Sequence, residues 1–176
     1  MANLASDERR PPAQPGTYAW YFERTALPAL IPLGRAHHIG NWVLLYVGIA
    51  PARPSPGRPP SRRTLRTRLR FHFRGNARGS TLRLSLGCVL ADELGVSPVC
   101  VCRGDRIRFR DEKPLSEWMT RHARVCWVER HHPWELQERA LRTLDLPLNL
   151  AGNRGHPFRS VLAELRGGIR DLGRLP

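Results

Sequence analysis

Two tyrosine–glycine motifs lie near the start of the chain, and each carries a phenol that can take part in proton transfer. The first is Gly16-Thr17-Tyr18 and the second is Tyr46-Val47-Gly48. A phenol oxygen can exchange a proton with a bound water molecule, either directly or through a neighbouring base. The two motifs therefore indicate chemistry in which a water molecule is activated beside two strands.

An arginine and a histidine at helical spacing add an anion-binding group and a further proton carrier. Arg68 and His72 are four residues apart, so a helix places them on one face. The planar guanidinium of Arg68 can bind two oxygens of a phosphate at once. His72 can hold or pass a proton beside the two phenols. This pair extends the predicted chemistry to phosphate groups.

A carboxylate much later in the chain is the candidate metal ligand. Glu138 lies on a predicted helix, and Asn149 follows in the loop after that helix. Mg²⁺ prefers oxygen ligands and usually keeps several of its waters, so one protein carboxylate can suffice. Glu135 competes for this role, but the helical phase places Glu138 closer to the apolar arc of the helix. A metal, a cation and a proton acceptor are together what phosphodiester hydrolysis requires.

The charge of the chain points to a polyanionic partner. The formal net charge is +14, and the stretch between Glu23 and Asp92 contains twelve arginines and no carboxylate. Charge of one sign over so long a stretch repels itself unless a polyanion neutralises it. We therefore expect nucleic acid as the partner, in preference to acidic lipid or a merely solvated basic surface. The arginines expected to contact the phosphate backbone are Arg62, Arg63, Arg66, Arg70 and Arg74.

These side chains need a scaffold, and the sequence predicts two strands as its beginning. Residues 16–23 and 42–49 have the apolar composition of strands and suit an antiparallel hairpin. The connection over about 24–41 is long. A second irregular segment over about 51–63 is rich in proline and arginine, which excludes regular structure there.

The helix that carries Arg68 and His72 is predicted over residues 64–74. Its buried stripe recurs at four-residue steps and consists of Leu65, Leu69 and Phe73. The remaining predicted elements are helices over about 80–94, 114–123, 133–144 and 157–166, and strands over 99–102, 107–109 and 125–128. Glu138 thus falls on a late helix, far from the tyrosines in the sequence.

In this order, the residues resemble the GIY-YIG nuclease family over roughly residues 15–153. The two motif tyrosines of the family match Tyr18 and Tyr46, and its catalytic arginine matches Arg68. A histidine found in some members matches His72. The resemblance implies an α+β fold in which a small antiparallel sheet of about three strands is flanked by helices.

The same resemblance extends to the metal site. The metal-binding glutamate of the family matches Glu138, and its asparagine near a proline matches Asn149. This implies a single-metal endonuclease that uses Mg²⁺ or Mn²⁺ and cuts DNA, with RNA as an alternative substrate. One tyrosine would act with the metal-linked water network as base, and the arginine would stabilise charge. The first motif departs from the family, because Thr17 stands where isoleucine is usual.

The composition of the chain, together with this resemblance, sets the expected domain boundaries, and composition alone sets the expected location. We expect one nuclease domain over residues 15–166, a disordered tail over residues 1–14 and a second tail over residues 167–176. The first tail lacks the apolar segment of a secretory signal, and no apolar stretch is long enough to span a bilayer. A cytoplasmic protein that does not enter membranes is therefore expected.

Two other functions fit the same sequence. A nucleic-acid-binding module on this fold, with weak or lost catalysis, would keep the basic surface but have no cleavage to lose in a Glu138→Ala variant. A basic adaptor would instead dock on acidic protein surfaces, and nucleic acid would not compete with its protein partner.

Overall fold

The two predicted tyrosine strands pair with each other at the centre of a sheet. A computed structural model describes residues 10–57, 61–100 and 107–172 of the chain. In the described part, the strands are β1 (Gly16–Glu23), β2 (His38–Ile39), β3 (Trp42–Ala50), β4 (Pro98–Cys100), β5 (Ile107–Phe109) and β6 (Ala123–Glu129). The helices are α1 (Leu65–Arg74), α2 (Thr81–Val89), α3 (Ala91–Leu94), α4 (Lys113–His122), α5 (Pro133–Thr143) and α6 (Phe158–Leu172).

The main sheet has the strand order β2-β3-β1-β6, and all its pairings are antiparallel. The predicted α+β class is confirmed, with four strands in place of the three expected. The additional strand, β2, lies in the connection over about 24–41 and joins β3 through the two-residue loop Gly40–Asn41. Gly40 has a φ of +56°, which such a hairpin loop favours. A two-residue strand is too short to show an alternating pattern in the sequence.

A register shift in the central pair decides which face Tyr46 joins. Trp20 lies opposite Tyr46 and Tyr21 lies opposite Leu44, so Leu45 is an extra residue on β3. A bulge of this kind lets two neighbouring residues face the same side of a sheet. Leu45 and Tyr46 accordingly both pack in the apolar cluster that contains Trp20. The bulge therefore brings the second motif tyrosine to the face that holds the first.

Each face of the main sheet is covered by a different set of helices. On the larger core, the buried stripe predicted for α1 is confirmed, since Leu65, Leu69 and Phe73 are all buried there. On the opposite face, Ala140 of α5 packs against Leu44 of β3 in a smaller cluster. Thr17 replaces the usual isoleucine of the first motif, and its buried hydroxyl donates to the carbonyl of Pro133 at the start of α5. The catalytic candidates thus come from helices on both sides of the sheet.

Several element boundaries differ from those expected. The predicted helix over 80–94 is divided at Leu90, where α2 ends and α3 begins. The strands β4 and β5 form a separate pair, and residues 101–106 between them lie outside the described residues. At the C-terminal end α6 continues to Leu172, so residues 167–172 of the expected tail are helical, and Ile169 within them is buried.

The described part of the expected N-terminal tail contacts the start of α1. The backbone N–H groups of Leu65 and Arg66 donate to the carbonyls of Gln14 and Pro12. The first N–H groups of a helix have no partner within it, so this segment satisfies two of them. Residues 1–9 of the tail lie outside the described residues. None of the described helices is long and apolar enough to cross a bilayer.

Candidate active site

A chain of buried hydrogen bonds begins at the first motif tyrosine. The Tyr18 phenol oxygen lies 2.6 Å from Nε2 of His72, and Nδ1 of His72 lies 2.7 Å from the Ser80 hydroxyl. All three side chains are buried. The Tyr18 ring lies against Gly48 of β3, where any Cβ atom would overlap the phenol oxygen. The glycine of the second motif therefore makes room for the tyrosine of the first.

Burial sets the protonation states of these hydrogen-bonded side chains. It raises the pKa of the Tyr18 phenol above its ordinary value, and the neighbouring Tyr46 adds to the rise. It lowers the pKa of His72 well below its ordinary value, and the cations Arg68 and Arg83 lower it further. His72 is therefore neutral at physiological pH, with one ring nitrogen as donor and the other as acceptor.

Arg68 lies beside these hydrogen-bonded side chains and is held by two contacts. Its Nη1 group donates to the carbonyl of Gly79 at 2.9 Å, and its Nε lies 3.4 Å from the Tyr18 phenol oxygen. A guanidinium has five N–H donors, so groups remain for an anion. The capping box between Thr64 and Thr67 fixes the start of the helix that carries it. Arg68 is thus oriented before any ligand arrives.

The phenols and guanidinium groups meet in an open cleft of about 360 Å³. Its lining includes Tyr18, Tyr46, Gly48, Arg53, Arg63, Arg68 and Gln137. Three of these side chains are arginines, and none is an acid. A cleft with this lining attracts and holds anions.

Tyr46 separates this cleft from a second, smaller one. Its phenol oxygen lies 3.1 Å from the Thr81 hydroxyl, and its ring lies edge-on to His72 at a centroid distance of 6.0 Å. The second cleft measures about 210 Å³ and also contacts Gln137, Asn149 and Arg166. The two phenols therefore differ, because Tyr18 contacts the imidazole directly and Tyr46 contacts a hydroxyl.

Glu138 joins this arrangement through an arginine of the second insert. Its carboxylate pairs with Arg53, which lines the first cleft, while Glu138 itself is not among the lining residues. The Glu138 side chain is 45% exposed and that of Glu135 is 72% exposed, as expected from the helical phase. Glu138 is thus reachable from solvent and lies one residue from Gln137 in the cleft wall.

The donor set around Glu138 suits a hard cation that keeps most of its water. Within the described residues, no cluster of three or more His, Cys, Asp or Glu side chains is present. Zinc-like or calcium-like sites need such clusters, whereas Mg²⁺ binds through one or two carboxylates plus substrate phosphates. A single accessible carboxylate beside a cationic cleft that can hold phosphate groups fits Mg²⁺ or Mn²⁺.

Asn149 holds the backbone of the second motif and does not face the first cleft. Its side-chain oxygen accepts from the N–H of Val47 at 2.9 Å, and its amide nitrogen donates to the Val47 carbonyl at 2.8 Å. Gln137 also reaches that carbonyl, at 3.4 Å. The loop after α5 is therefore tied to β3 between the tyrosine and the glycine of the motif.

The five arginines predicted to contact nucleic acid are all exposed, and they divide by position. Arg63 lines the first cleft and lies over the ring of Phe71 at 5.8 Å. Arg66 donates through Nε to the carbonyl of Pro11, which ties it to the N-terminal segment. The remaining three, Arg62, Arg70 and Arg74, extend the positive surface around α1.

A protein-family model, that of the GIY-YIG catalytic domain, matches residues 16–168 of the chain. The chain belongs to the GIY-YIG family. Members of the GIY-YIG family are generally nucleases that act on nucleic acids and typically use divalent metal ions. No curated protein and no solved structure matches the chain significantly.

Four residues of this candidate site were not predicted from the sequence. Ser80 showed only the signal of a helix N-cap, and it does accept from the N–H of Arg83, but it also contacts His72. Thr81, Gln137 and Arg53 showed no signal that separated them from other polar residues. Only Arg53 has a sequence context that could have indicated it, namely the arginine-rich insert directly after the second motif.

Proposed function

We propose that this protein is a metal-dependent endonuclease that hydrolyses phosphodiester bonds of DNA. The observation that carries the proposal is the meeting of Tyr18, Tyr46 and Arg68 in one cationic cleft, with Tyr18 hydrogen-bonded to a neutral His72. The membership of the nuclease family and the net charge of +14 support it.

The arginines of the cleft bind and orient the scissile phosphate. Arg68 is already fixed by Gly79, so its free N–H groups need little reordering to contact two phosphate oxygens. Arg63 and Arg53 line the same cleft and add positive potential where negative charge develops on the phosphate oxygens. The preorganised positive charge of Arg68 lowers the barrier more than mobile surface cations could.

The Tyr18–His72 pair provides the route for the proton of the attacking water. With Nδ1–H of His72 donated to Ser80, the Nε2 atom accepts the Tyr18 phenol hydrogen and a lone pair of the phenol oxygen faces the cleft. Burial disfavours a free phenolate, so Tyr18 accepts the water proton as it gives its own proton to Nε2, and no phenolate forms. The imidazolium formed on His72 is also disfavoured, by burial and by the nearby cations. Negative charge developing on the phosphate offsets the positive charge formed on His72.

Glu138 is the residue that would hold the divalent cation. When bound, such an ion polarises phosphate oxygens and lowers the pKa of its waters. Gln137 and Asn149 position the adjoining backbone, since both contact Val47 of the second motif. Asn149 therefore contributes through placement of the Tyr46–Gly48 segment and not through contact with substrate.

A supercoiled-plasmid nicking assay with Mg²⁺, with Mn²⁺ and with a chelator tests the proposal. We expect nicking in either metal, none in the chelator, and loss of nicking in Glu138→Ala with duplex affinity retained. Arg139→Ala is the matched control, because it changes an exposed neighbouring side chain on the same helix. Equal nicking by wild type and Glu138→Ala, or none by the wild type in either metal, would end the proposal.

The Arg53–Glu138 ion pair favours one alternative, a nucleic-acid-binding module without catalysis. In that case the pair is purely structural, and the wild type binds duplex without cutting it. Both functions predict that affinity falls steeply with salt, by about 10³–10⁵-fold between 50 and 200 mM for six to ten phosphate contacts. A flat salt response would argue against the basic stretch as a DNA-binding surface. The adaptor for acidic protein surfaces is distinguished by its protein partner, with which nucleic acid would not compete.

A further inference from the structure

An arginine from the second insert lies between the phosphate-binding cleft and the candidate metal ligand. Arg53 follows β3 by three residues and lines the cleft together with Arg63 and Arg68. Its Nη1 group donates to Oε1 of Glu138, 85 residues later in the chain. One guanidinium thus contacts the only carboxylate that the proposed mechanism uses.

The exposure of this ion pair makes its exchange easy. The side chain of Arg53 is 65% exposed and that of Glu138 is 45% exposed. Ion pairs in such positions are weak, because water competes for both partners. Either a phosphate of the substrate or a divalent cation at Glu138 can therefore replace the contact without disrupting the fold.

We infer that Arg53 is a further substrate-binding residue. In the free protein it forms an ion pair with Glu138, and when substrate binds it moves to a phosphate of that substrate. This inference rests on the proposed nuclease function. While the Arg53 guanidinium is paired with Glu138, it weakens the binding of a divalent cation at that carboxylate, because it repels the cation and competes for the carboxylate oxygens. When a phosphate draws Arg53 away, Glu138 is released for the metal.

Exchange of Arg53 makes the two ligands cooperative. Nucleic acid strengthens metal binding by removing Arg53 from Glu138, and metal strengthens nucleic-acid binding by releasing Arg53 into the cleft. The two effects must be equal, since coupling between binding sites is reciprocal. The metal site is then filled preferentially when substrate is present.

Direct measurement of Mn²⁺ binding tests the first half of the inference. Electron paramagnetic resonance of free Mn²⁺ gives the Kd for the wild type and for Arg53→Ala, Arg139→Ala and Glu138→Ala. We expect Arg53→Ala to bind Mn²⁺ about two- to fivefold more tightly than the wild type. Arg139→Ala removes one positive charge beside Glu138 without touching the ion pair, and it should leave the Kd near the wild-type value. Glu138→Ala should lose the site.

Duplex DNA with hydrolysis-resistant phosphorothioate linkages tests the second half. In a chelator, Arg53→Ala should bind this duplex about two- to fivefold more weakly than Arg139→Ala does. The ratio of the Mn²⁺ Kd without and with duplex should be smaller in Arg53→Ala than in the wild type by a similar factor. Direct contact between phosphate and metal contributes to both ratios and cancels in the comparison.

The outcomes separate this inference from the proposed function. If Glu138→Ala loses Mn²⁺ while Arg53→Ala and Arg139→Ala bind it equally, Arg53 does not compete for Glu138. The inference is then wrong and the nuclease proposal stands on its nicking assay. If Glu138→Ala binds Mn²⁺ as the wild type does, the metal role of Glu138 fails and the inference fails with it.

Discussion

Arg83 and Glu112 form an ion pair inside the molecule, whereas Arg53 and Glu138 form one on its surface. The Arg83 side chain is fully buried and that of Glu112 is 18% exposed, against 65% and 45% for Arg53 and Glu138. Arg83 also donates to the carbonyls of His72 and Phe73 and to the Ser116 hydroxyl.

The number of partners explains what each pair does. Glu112 accepts from the backbone N–H groups of Ala77 and Phe109 in addition to Arg83, so the buried pair is a fully bonded junction of α1, α2 and α4. It fixes the helix end that presents His72. Among the described contacts, the exposed pair consists of a single contact between two accessible groups. Burial therefore gives the buried pair a fixed geometry, and exposure leaves the surface pair free to exchange partners.

Breaking the buried pair should have the largest effect on the free energy of unfolding. Arg83→Met leaves Glu112 with a poorly solvated charge, and we expect a loss of about 3–5 kcal/mol in urea unfolding. Adding Glu112→Gln should recover part of this loss, since it removes the unpaired charge and keeps a side-chain oxygen for the N–H groups of Ala77 and Phe109. A loss below about 1 kcal/mol for the single variant would contradict the contrast between the two pairs.

Arg68 lies between these extremes, because it is half-buried and partly bonded to the protein. We expect Arg68→Ala to reduce plasmid nicking by about 10²–10³-fold, as removal of one charge-stabilising donor does in other active sites. Arg70→Ala is the control, since this exposed arginine is on the same helix outside the cleft. Equal loss of nicking in both variants would mean that Arg68 acts only through general positive charge.

The pH dependence of the free energy of unfolding should show that His72 is buried and neutral in the folded protein. The pKa of His72 is lower in the folded than in the unfolded state, so below about pH 6.5 the unfolded chain binds more protons. The contribution of His72 to stability is complete above that pH and is lost on acidification by up to about 1.4 kcal/mol per pH unit. Urea unfolding of wild type and His72→Gln from pH 7.5 down to pH 5 should converge, and parallel curves would contradict a buried neutral imidazole.

The smallest effect on stability is expected at the exposed pair. Arg53→Ala should change the free energy of unfolding by no more than about 1 kcal/mol, because both partners are hydrated. Any difference from wild type should shrink further at high salt, where exposed charges are screened. A loss of unfolding free energy as large as that of Arg83→Met would show that the insert over about 51–63 is held rigidly. This would contradict the proposed exchange of Arg53 between Glu138 and phosphate.

The local elements of the fold were largely predictable because their signals are local. Continuous apolar runs predicted β1 and β3, and the four-residue steps of Leu65, Leu69 and Phe73 predicted α1. The helical phase of α5 likewise distinguished Glu138 from the more exposed Glu135. The exceptions were short or interrupted elements, such as β2 and the break at Leu90, where too few residues carry a pattern.

The site was predictable by residue type but not by contact. Tyr18, Arg68 and His72 could be proposed from their chemistry and spacing, and the hydrogen bond between Tyr18 and His72 required the structure. Ser80 was identifiable only as a helix cap. Gln137 lines the cleft, whereas its neighbour Glu138 lies beside the cleft. Nothing in the sequence indicated this role of Gln137.

Residues close together in the chain were enough to predict β1 and β3, the apolar faces of the helices and the strongly basic surface. Tertiary structure alone decided that a bulge at Leu45 turns Tyr46 toward Trp20 and that Arg53 meets Glu138. It also decided that Arg83 is buried while Arg68 is half-buried and Arg70 is exposed. Such outcomes depend on how distant segments pack and exclude water, which local periodicity does not encode.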